Sequence, residues 1–261
     1  MQNMKQNKNR YISFQVMYDG TSYSGWQRVT NNKSSKPSIQ SVLEENLSQL
    51  LTEEIMITAS GRTDAGVHAI SQVVNFKTKN TIELKRLQTD MNQRLPEDIS
   101  IYNVVEVSKD FHSRYDAKKK TYIYFIDVRE RESVFNRKYS YPLGESINTD
   151  LMKEAASYLI GTHDFKAFCT DRKDGKSTVR TIYDIKIEQI KDRYGANEVM
   201  IEITGNGFLY NMVRIIVGSL VEVGLLKRTP ESIYEALIQK NRMKAGITLG
   251  SQGLFLKKVE Y

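Results

Sequence analysis

The order in which apolar patterns succeed one another most constrains what this sequence can fold into. Residues 11–18 alternate Ile12, Phe14, Val16 and Tyr18 against Ser13 and Gln15, the period of a half-buried strand. Ser38 offers an N-cap, and Ile39, Val42, Leu43, Leu47, Leu50 and Leu51 follow at helical spacing. Strands are expected at 55–59 and 70–76, a helix at 83–94 stopped by Pro96, and a strand at 99–107. From Lys120 the succession starts again. It runs through a strand at 120–128, with Tyr122 and Tyr124 on one face, and a helix at 150–160 closed by Gly161. Strands at 182–190 and 199–204 follow, then a nearly all-apolar helix at 208–226, a shorter helix opened by Thr229-Pro230, and a strand at 254–259.

Each half reads strand, helix, strand, strand, helix, strand, the ferredoxin-like order. The expected class is α+β: two ferredoxin-like, RRM-like subdomains whose antiparallel sheets meet around a central catalytic cleft. Residues 1–10 form a polar tail, 11–116 an N-terminal subdomain and 117–261 a C-terminal one. The halves share no visible sequence identity, so the duplication is architectural.

Between the strands expected at 55–59 and 70–76 lies Gly61-Arg62-Thr63-Asp64-Ala65-Gly66-Val67-His68-Ala69. Two glycines permit a tight loop. A cation, a hydroxyl and a carboxylate sit between them on consecutive residues, more chemistry than a simple turn requires. The loop is expected to join the two inner strands of the first half and to present Asp64 on a rigid turn.

Several chemistries are excluded. His68, His112 and His163 are far apart, and Cys169 is the only cysteine, so no metal-site spacing and no intramolecular disulfide arise. There is no phosphate loop, no dinucleotide fingerprint and no nucleophile elbow. What remains is a carboxylate, which can act as nucleophile, base or electrostatic stabiliser. The apolar run 208–226 is interrupted by Asn211, Arg214 and Glu222, which favours a buried helix over a membrane span. With no leader-like segment, a cytoplasmic protein without membrane attachment is expected.

Net charge is +7, with basic clusters at 118–120, 137–138, 172–173 and 257–258. That balance suits a polyanionic partner, and fifteen tyrosines suit base stacking. A merely solvated basic surface would look the same.

Arg214 is flanked by Met212, Val213, Ile215 and Ile216, where an unpaired cation would be costly. It is expected to meet a carboxylate, or else to reach solvent along its stem. For Tyr122 an ordinary core role, and for Arg62 a surface cation beside a loop, stand open at this point.

The motifs together resemble the tRNA pseudouridine synthase A family. Residues 61–69 are similar to its active-site signature. Tyr18-Asp19-Gly20-Thr21 with Gly25-Trp26-Gln27, Ser38-Ile39-Gln40, Phe111-His112-Ser113-Arg114 and Lys120-Thr121-Tyr122-Ile123-Tyr124 follow in the family's order. His163-Asp164-Phe165, Arg180-Thr181-Ile182, and Asn211-Met212-Val213-Arg214 with Val217-Gly218 complete the series.

The resemblance implies isomerisation of uridine to pseudouridine at positions 38–40 of the tRNA anticodon stem-loop, without cofactor or metal. It makes Asp64 the essential carboxylate, Arg62 the group that fills the space of the displaced base, and Tyr122 the substrate-binding ring. Arg214 becomes the partner of Asp64, and the protein a homodimer acting on tRNA. The alternative is a noncatalytic tRNA-binding protein on the same scaffold.

Overall fold

A computed structural model describes residues 9–28, 35–131, 133–170 and 175–261. The readings of residues 1–8 as part of the polar tail and of the 172–173 cluster lie outside the described residues. The chain divides into two compact units, Met1–Ala117 with Tyr261, and Lys118–Glu260.

The first unit contains β1 (Arg10–Tyr18), α1 (Ile39–Leu51), β2 (Thr58–Ala59), β3 (His68–Thr78), α2 (Leu84–Arg94) and β4 (Ile99–Glu106). β1 pairs antiparallel with β3 on one side and β4 on the other, and β2 pairs antiparallel with β3, giving the order β4-β1-β3-β2. α1 starts where a capping box satisfies its first donors: the Ser38 hydroxyl accepts from the Ser41 amide, and the Ser41 hydroxyl from the Ser38 amide. Its Ile39, Leu43, Leu47 and Leu51 are buried, as are Leu87 and Met91 of α2. On β1, the equally buried Phe14 packs edge-on to Phe76 of β3 at 5.9 Å. Each such side chain contributes roughly 1.5–3 kcal/mol by leaving water. At the far end of the chain, the Tyr261 hydroxyl donates to the Ser113 carbonyl at 2.7 Å.

One expectation fails here. The apolar run 55–59 forms only the two-residue β2, because α1 side chains take its backbone donors. The Ile55 amide donates to the Ser48 hydroxyl and the Ile57 amide to the buried Glu44 carboxylate, both at 3.0 Å. The Asp64 loop therefore joins the unit's edge strand β2 to β3, rather than two inner strands.

The second unit contains β5 (Lys119–Asp127), β6 (Tyr141–Pro142), α3 (Thr149–Ser157), β7 (Gly161–Asp164), β8 (Val179–Lys191) and β9 (Asn197–Gly205). α4 (Met212–Gly224), α5 (Glu231–Gln239) and β10 (Leu254–Glu260) complete it. Antiparallel pairing gives β10-β5-β9-β8-β7, and β6 lies parallel to β5. β10-β5-β9-β8 repeats, strand for strand, the order β4-β1-β3-β2 of the first unit.

Several boundaries in this unit differ from the sequence reading. α3 ends at Ser157, because the amides of Tyr158, Leu159 and Ile160 bond to carbonyls three residues back and tighten the chain out of the α-helix. Gly161 consequently opens β7, a strand whose Gly-Thr-His-Asp composition carries no alternation. α4 begins only at Met212, because Asn211 is left-handed at φ +60°.

Candidate active site

The loop between β2 and β3 is hydrogen-bonded at its entrance, at Thr63 and across its turn. At its entrance the Ser60 amide donates to the Val73 carbonyl at 2.8 Å, and the Gln72 side-chain amide donates to the Gly61 carbonyl at 2.9 Å. Thr63, buried, is held twice. Its hydroxyl shares a 2.7 Å hydrogen bond with the Tyr18 hydroxyl, and its carbonyl accepts from the Trp26 amide at 3.0 Å. The Val67 amide returns to the Asp64 carbonyl at 3.1 Å, closing a turn over residues 64–67. Gly66 at φ +76° occupies the third position, the geometry of a type II turn.

Beneath this turn lies the segment that follows β1. A β-carbon on Gly20 would stand 2.0 Å from the Val67 carbonyl oxygen, and one on Gly25 2.7 Å from that of Thr63. Only glycine allows the two segments to lie so close. His68, fully buried, joins them: its Nδ1 accepts from the Gly20 amide at 3.0 Å. That bond requires the lone pair on Nδ1 and so the Nε2–H tautomer. The Asp19 carboxylate, 3.1 Å from Nδ1, is then a neighbour rather than an ion-pair partner; it accepts from the Thr21 amide and hydroxyl. The bed continues into α1, where the Ile39 and Gln40 amides donate to the Gly25 and Trp26 carbonyls at 3.1 and 3.0 Å.

Asp64 is half-buried and Arg62 exposed on this loop. The backbone of residues 60–68 is thus fixed by the fold, while these two charged side chains extend from it. A carboxylate so mounted can be held in one direction with little entropy left to lose on binding.

Tyr122 and Arg214 belong to the second unit. Tyr122, on β5, is 8% exposed and packs edge-on against Phe208 with ring centroids 5.1 Å apart. Arg214 is half-buried in the first turn of α4. Its Nε donates to the Leu249 carbonyl at 2.7 Å and its Nη1 to the Asn211 side-chain carbonyl at 2.9 Å. The Asn211 amide nitrogen donates in turn to the Thr170 hydroxyl at 2.8 Å, which fixes the way that amide points. Nearby, the Tyr124 hydroxyl donates to the Gly250 carbonyl at 2.6 Å. Burial pushes the Tyr124 phenol well above its usual range, with the Arg214 guanidinium pulling the other way.

Sequence reasoning missed the supports. Tyr18, Thr63 and Gly25 sit within the motifs without a role that sequence could assign, and Thr170 and Phe208 gave no signal. Asn211 carried a weak one: asparagine is among the residues enriched at positive φ. Among the described residues, no three His, Cys, Asp or Glu side chains gather as metal ligands, and no helix is long and apolar enough to cross a membrane.

A family model described as tRNA pseudouridine synthase matches residues 15–116 and 155–261. A protein of Thermoanaerobacter sp. (strain X514) named tRNA pseudouridine synthase A is 44% identical over 252 residues, covering 97% of this chain and all of the relative. One of Clostridium tetani named tRNA pseudouridine synthase A 2 is 45% identical, covering 97% and 99%. One of Bacillus cereus with that same name is 42% identical, covering 94% and 97%.

Proposed function

The chain belongs to the tRNA pseudouridine synthase family, a family of isomerases, and we propose that it converts uridine to pseudouridine at positions 38–40 of the tRNA anticodon stem-loop with Asp64 as the essential carboxylate. The N1–C1′ bond breaks, the uracil turns in place, and C5 bonds to C1′ with loss of the C5 proton. Nothing is oxidised or reduced. Asp64 serves either as nucleophile at C1′ or as the base that removes a sugar proton.

The observation that carries this reading is the mounting of Asp64. Thr63 before it and the 64–67 turn after it are tied to Tyr18, Trp26 and the Gly20–Gly25 bed. A group that must meet one ribose carbon gains rate from such fixing. A protein that only bound RNA would have no use for it.

The other roles follow from what the reaction needs. A stacked base must leave the helix before its sugar is reachable, at a cost of a few kcal/mol. Arg62, exposed on the loop, takes the vacated space and a neighbouring phosphate. Tyr122 holds the detached uracil. Arg214 keeps Asp64 ionised and aimed, its own direction set by Asn211 and Leu249. The reading includes two ferredoxin-like subdomains, 11–116 and 117–261, a division that the repeated strand order within each unit supports, and it has both contribute to one cleft. It also includes a cytoplasmic homodimer.

The test is Asp64→Asn assayed by tritium release from tRNA labelled at uridine C5, beside tRNA binding. Release is expected to vanish while affinity stays within a few fold; continued release would refute the assignment. Mapping pseudouridine in treated, unmodified tRNA decides the position, and a main target outside the anticodon arm would refute that part. Wild-type binding without any pseudouridine would favour the noncatalytic alternative.

A further inference from the structure

We infer that a basic hollow within the second unit binds backbone phosphates of the RNA substrate. The hollow has a volume of about 560 Å³ and is lined by Lys166, Lys176, Thr178, Lys240, Asn241 and Arg242 among others. The inference rests on the tRNA reading above and adds a binding site to it.

Its four cations come from four separate places. Lys166 lies in the 3₁₀ turn Phe165–Phe168 and Lys176 in the segment before β8. Lys240 is the left-handed cap of α5, and Arg242 opens the 3₁₀ turn Arg242–Lys244. None belongs to the basic clusters named from the sequence; Lys240 and Arg242 are two residues apart, and the fold brings Lys166 and Lys176 to them.

Asp164 organises one side. Its carboxylate accepts from the Lys166 amide, from the Thr178 hydroxyl and, at 2.9 Å, from the Lys240 ammonium. Partial burial opposes its ionisation, yet Thr178 and Lys240 hold its carboxyl below the usual carboxylate range. It therefore remains charged at neutral pH and keeps Lys240 at the rim, where that side chain is still 53% exposed.

On the other side the Arg242 guanidinium is pinned. Its Nη1 donates to the Gly246 carbonyl at 2.8 Å and its Nη2 to the Thr248 hydroxyl at 3.1 Å. Asn241 uses its side-chain oxygen to cap the Met243 amide at 3.0 Å, which leaves its NH₂ group as a donor. Among the described residues the hollow thus gathers four basic side chains, Lys240 paired with Asp164, and further donors.

That chemistry selects an anion with spread charge. Lysine ammonium groups act as point charges with flexible reach, suited to phosphate oxygens rather than to one planar carboxylate. Lys166, Lys176 and Lys240 are exposed residues, so the site does not enclose a small ligand. Successive phosphates of a polyanion can reach it from solvent.

The experiment uses the full-length chain and an unmodified tRNA, with Kd measured from about 50 to 200 mM salt. In Lys166→Gln/Lys176→Gln, Lys240 and its Asp164 partner are left intact. Kd is expected to weaken about fivefold or more, and the slope of log Kd against log salt to become shallower by about 1 to 2, one for each phosphate that is no longer neutralised. KM for tRNA should rise in step while kcat changes by less than twofold. If thermal unfolding shows the double variant to be unfolded, Lys166→Gln alone is read the same way, with a slope change of about 1. Affinity within twofold of wild type and an unchanged slope would overturn the inference. A wild-type protein that binds tRNA yet makes no pseudouridine would sink the catalytic reading, while the salt slope would still decide this one.

Discussion

A β-carbon on Gly25 would stand 2.9 Å from the carbonyl carbon of Asp64. The same atom would lie 2.7 Å from the Thr63 carbonyl oxygen, and Gly25 holds φ +101°, a conformation that side chains strain. Gly25→Ala must therefore lift the loop or distort its bed. A stability loss of about 1–3 kcal/mol is expected from the backbone strain. With the role proposed for Asp64, a turnover loss of roughly a hundredfold is expected, because a displacement of about 1 Å takes the carboxylate out of its working geometry. Tritium release measured beside tRNA binding checks this; equal losses in both would show that the substitution damages more than the loop.

The hydrogen bond between the Tyr18 and Thr63 hydroxyls is buried. Tyr18→Phe or Thr63→Val alone removes this buried bond and keeps one of its two hydroxyls, at about 1–3 kcal/mol. Removing both leaves neither hydroxyl to desolvate. Urea unfolding of the single and double variants is expected to give a double-mutant loss smaller than the summed singles by about 1 kcal/mol. Strict additivity would mean that the two hydroxyls do not support each other.

Much of this fold could be read because its local and tertiary signals agree. Ser38 caps a helix that buries one apolar stripe, and β1 alternates as a strand with one face in the core. The readings failed where one segment's backbone is satisfied by another segment's side chains. Nothing in residues 55–57 says that Glu44 and Ser48 will take their amides. β7 has no apolar period, since pairing with β8 decides it. For the candidate site, Asp64, Arg62, Tyr122 and Arg214 could be singled out from the sequence, but not what surrounds each of them. Gly25 matters through its closeness to Thr63 and Asp64, thirty-eight and thirty-nine residues further on, and Thr170 through the side chain of Asn211. Those relationships exist only once the chain has closed.

A cluster away from these residues predicts pH-dependent stability. Glu198 is buried, and its side chain accepts from Asn136 Nδ2 at 3.1 Å. Burial, with Asp192 and Asp127 nearby, pushes its carboxyl above the ordinary glutamate value, although Asn136 works against this. A carboxyl raised on folding holds its proton more tightly in the folded state, so stability falls as pH rises through that range and stays reduced at pH 7. Glu198→Gln keeps an acceptor for Asn136 without the charge. Its Tm is expected to exceed wild type at pH 7 by roughly 2–4 °C, corresponding to about 1 kcal/mol, and to match it near pH 4. A gain of equal size at both pH values would place its cause elsewhere.

Asn211 does two separable things. Its backbone at φ +60° sets the start of α4, and its side-chain carbonyl accepts from Arg214 Nη1 while its NH₂ is held by Thr170. Asn211→Gly retains the left-handed backbone and removes only the side chain. Asn211→Ala loses the side chain and also places an alanine in a conformation it disfavours by about 1–2 kcal/mol. If the amide's work is to aim Arg214, both variants should lose turnover alike, by about tenfold or more, while Asn211→Ala alone loses appreciable stability. Thr170→Val, which frees the Asn211 amide to turn, should reproduce a smaller part of the turnover loss with tRNA affinity little changed. Asn211→Gly with normal kcat would show that Arg214 is aimed by the Leu249 carbonyl and the helix, and that the asparagine serves the backbone only.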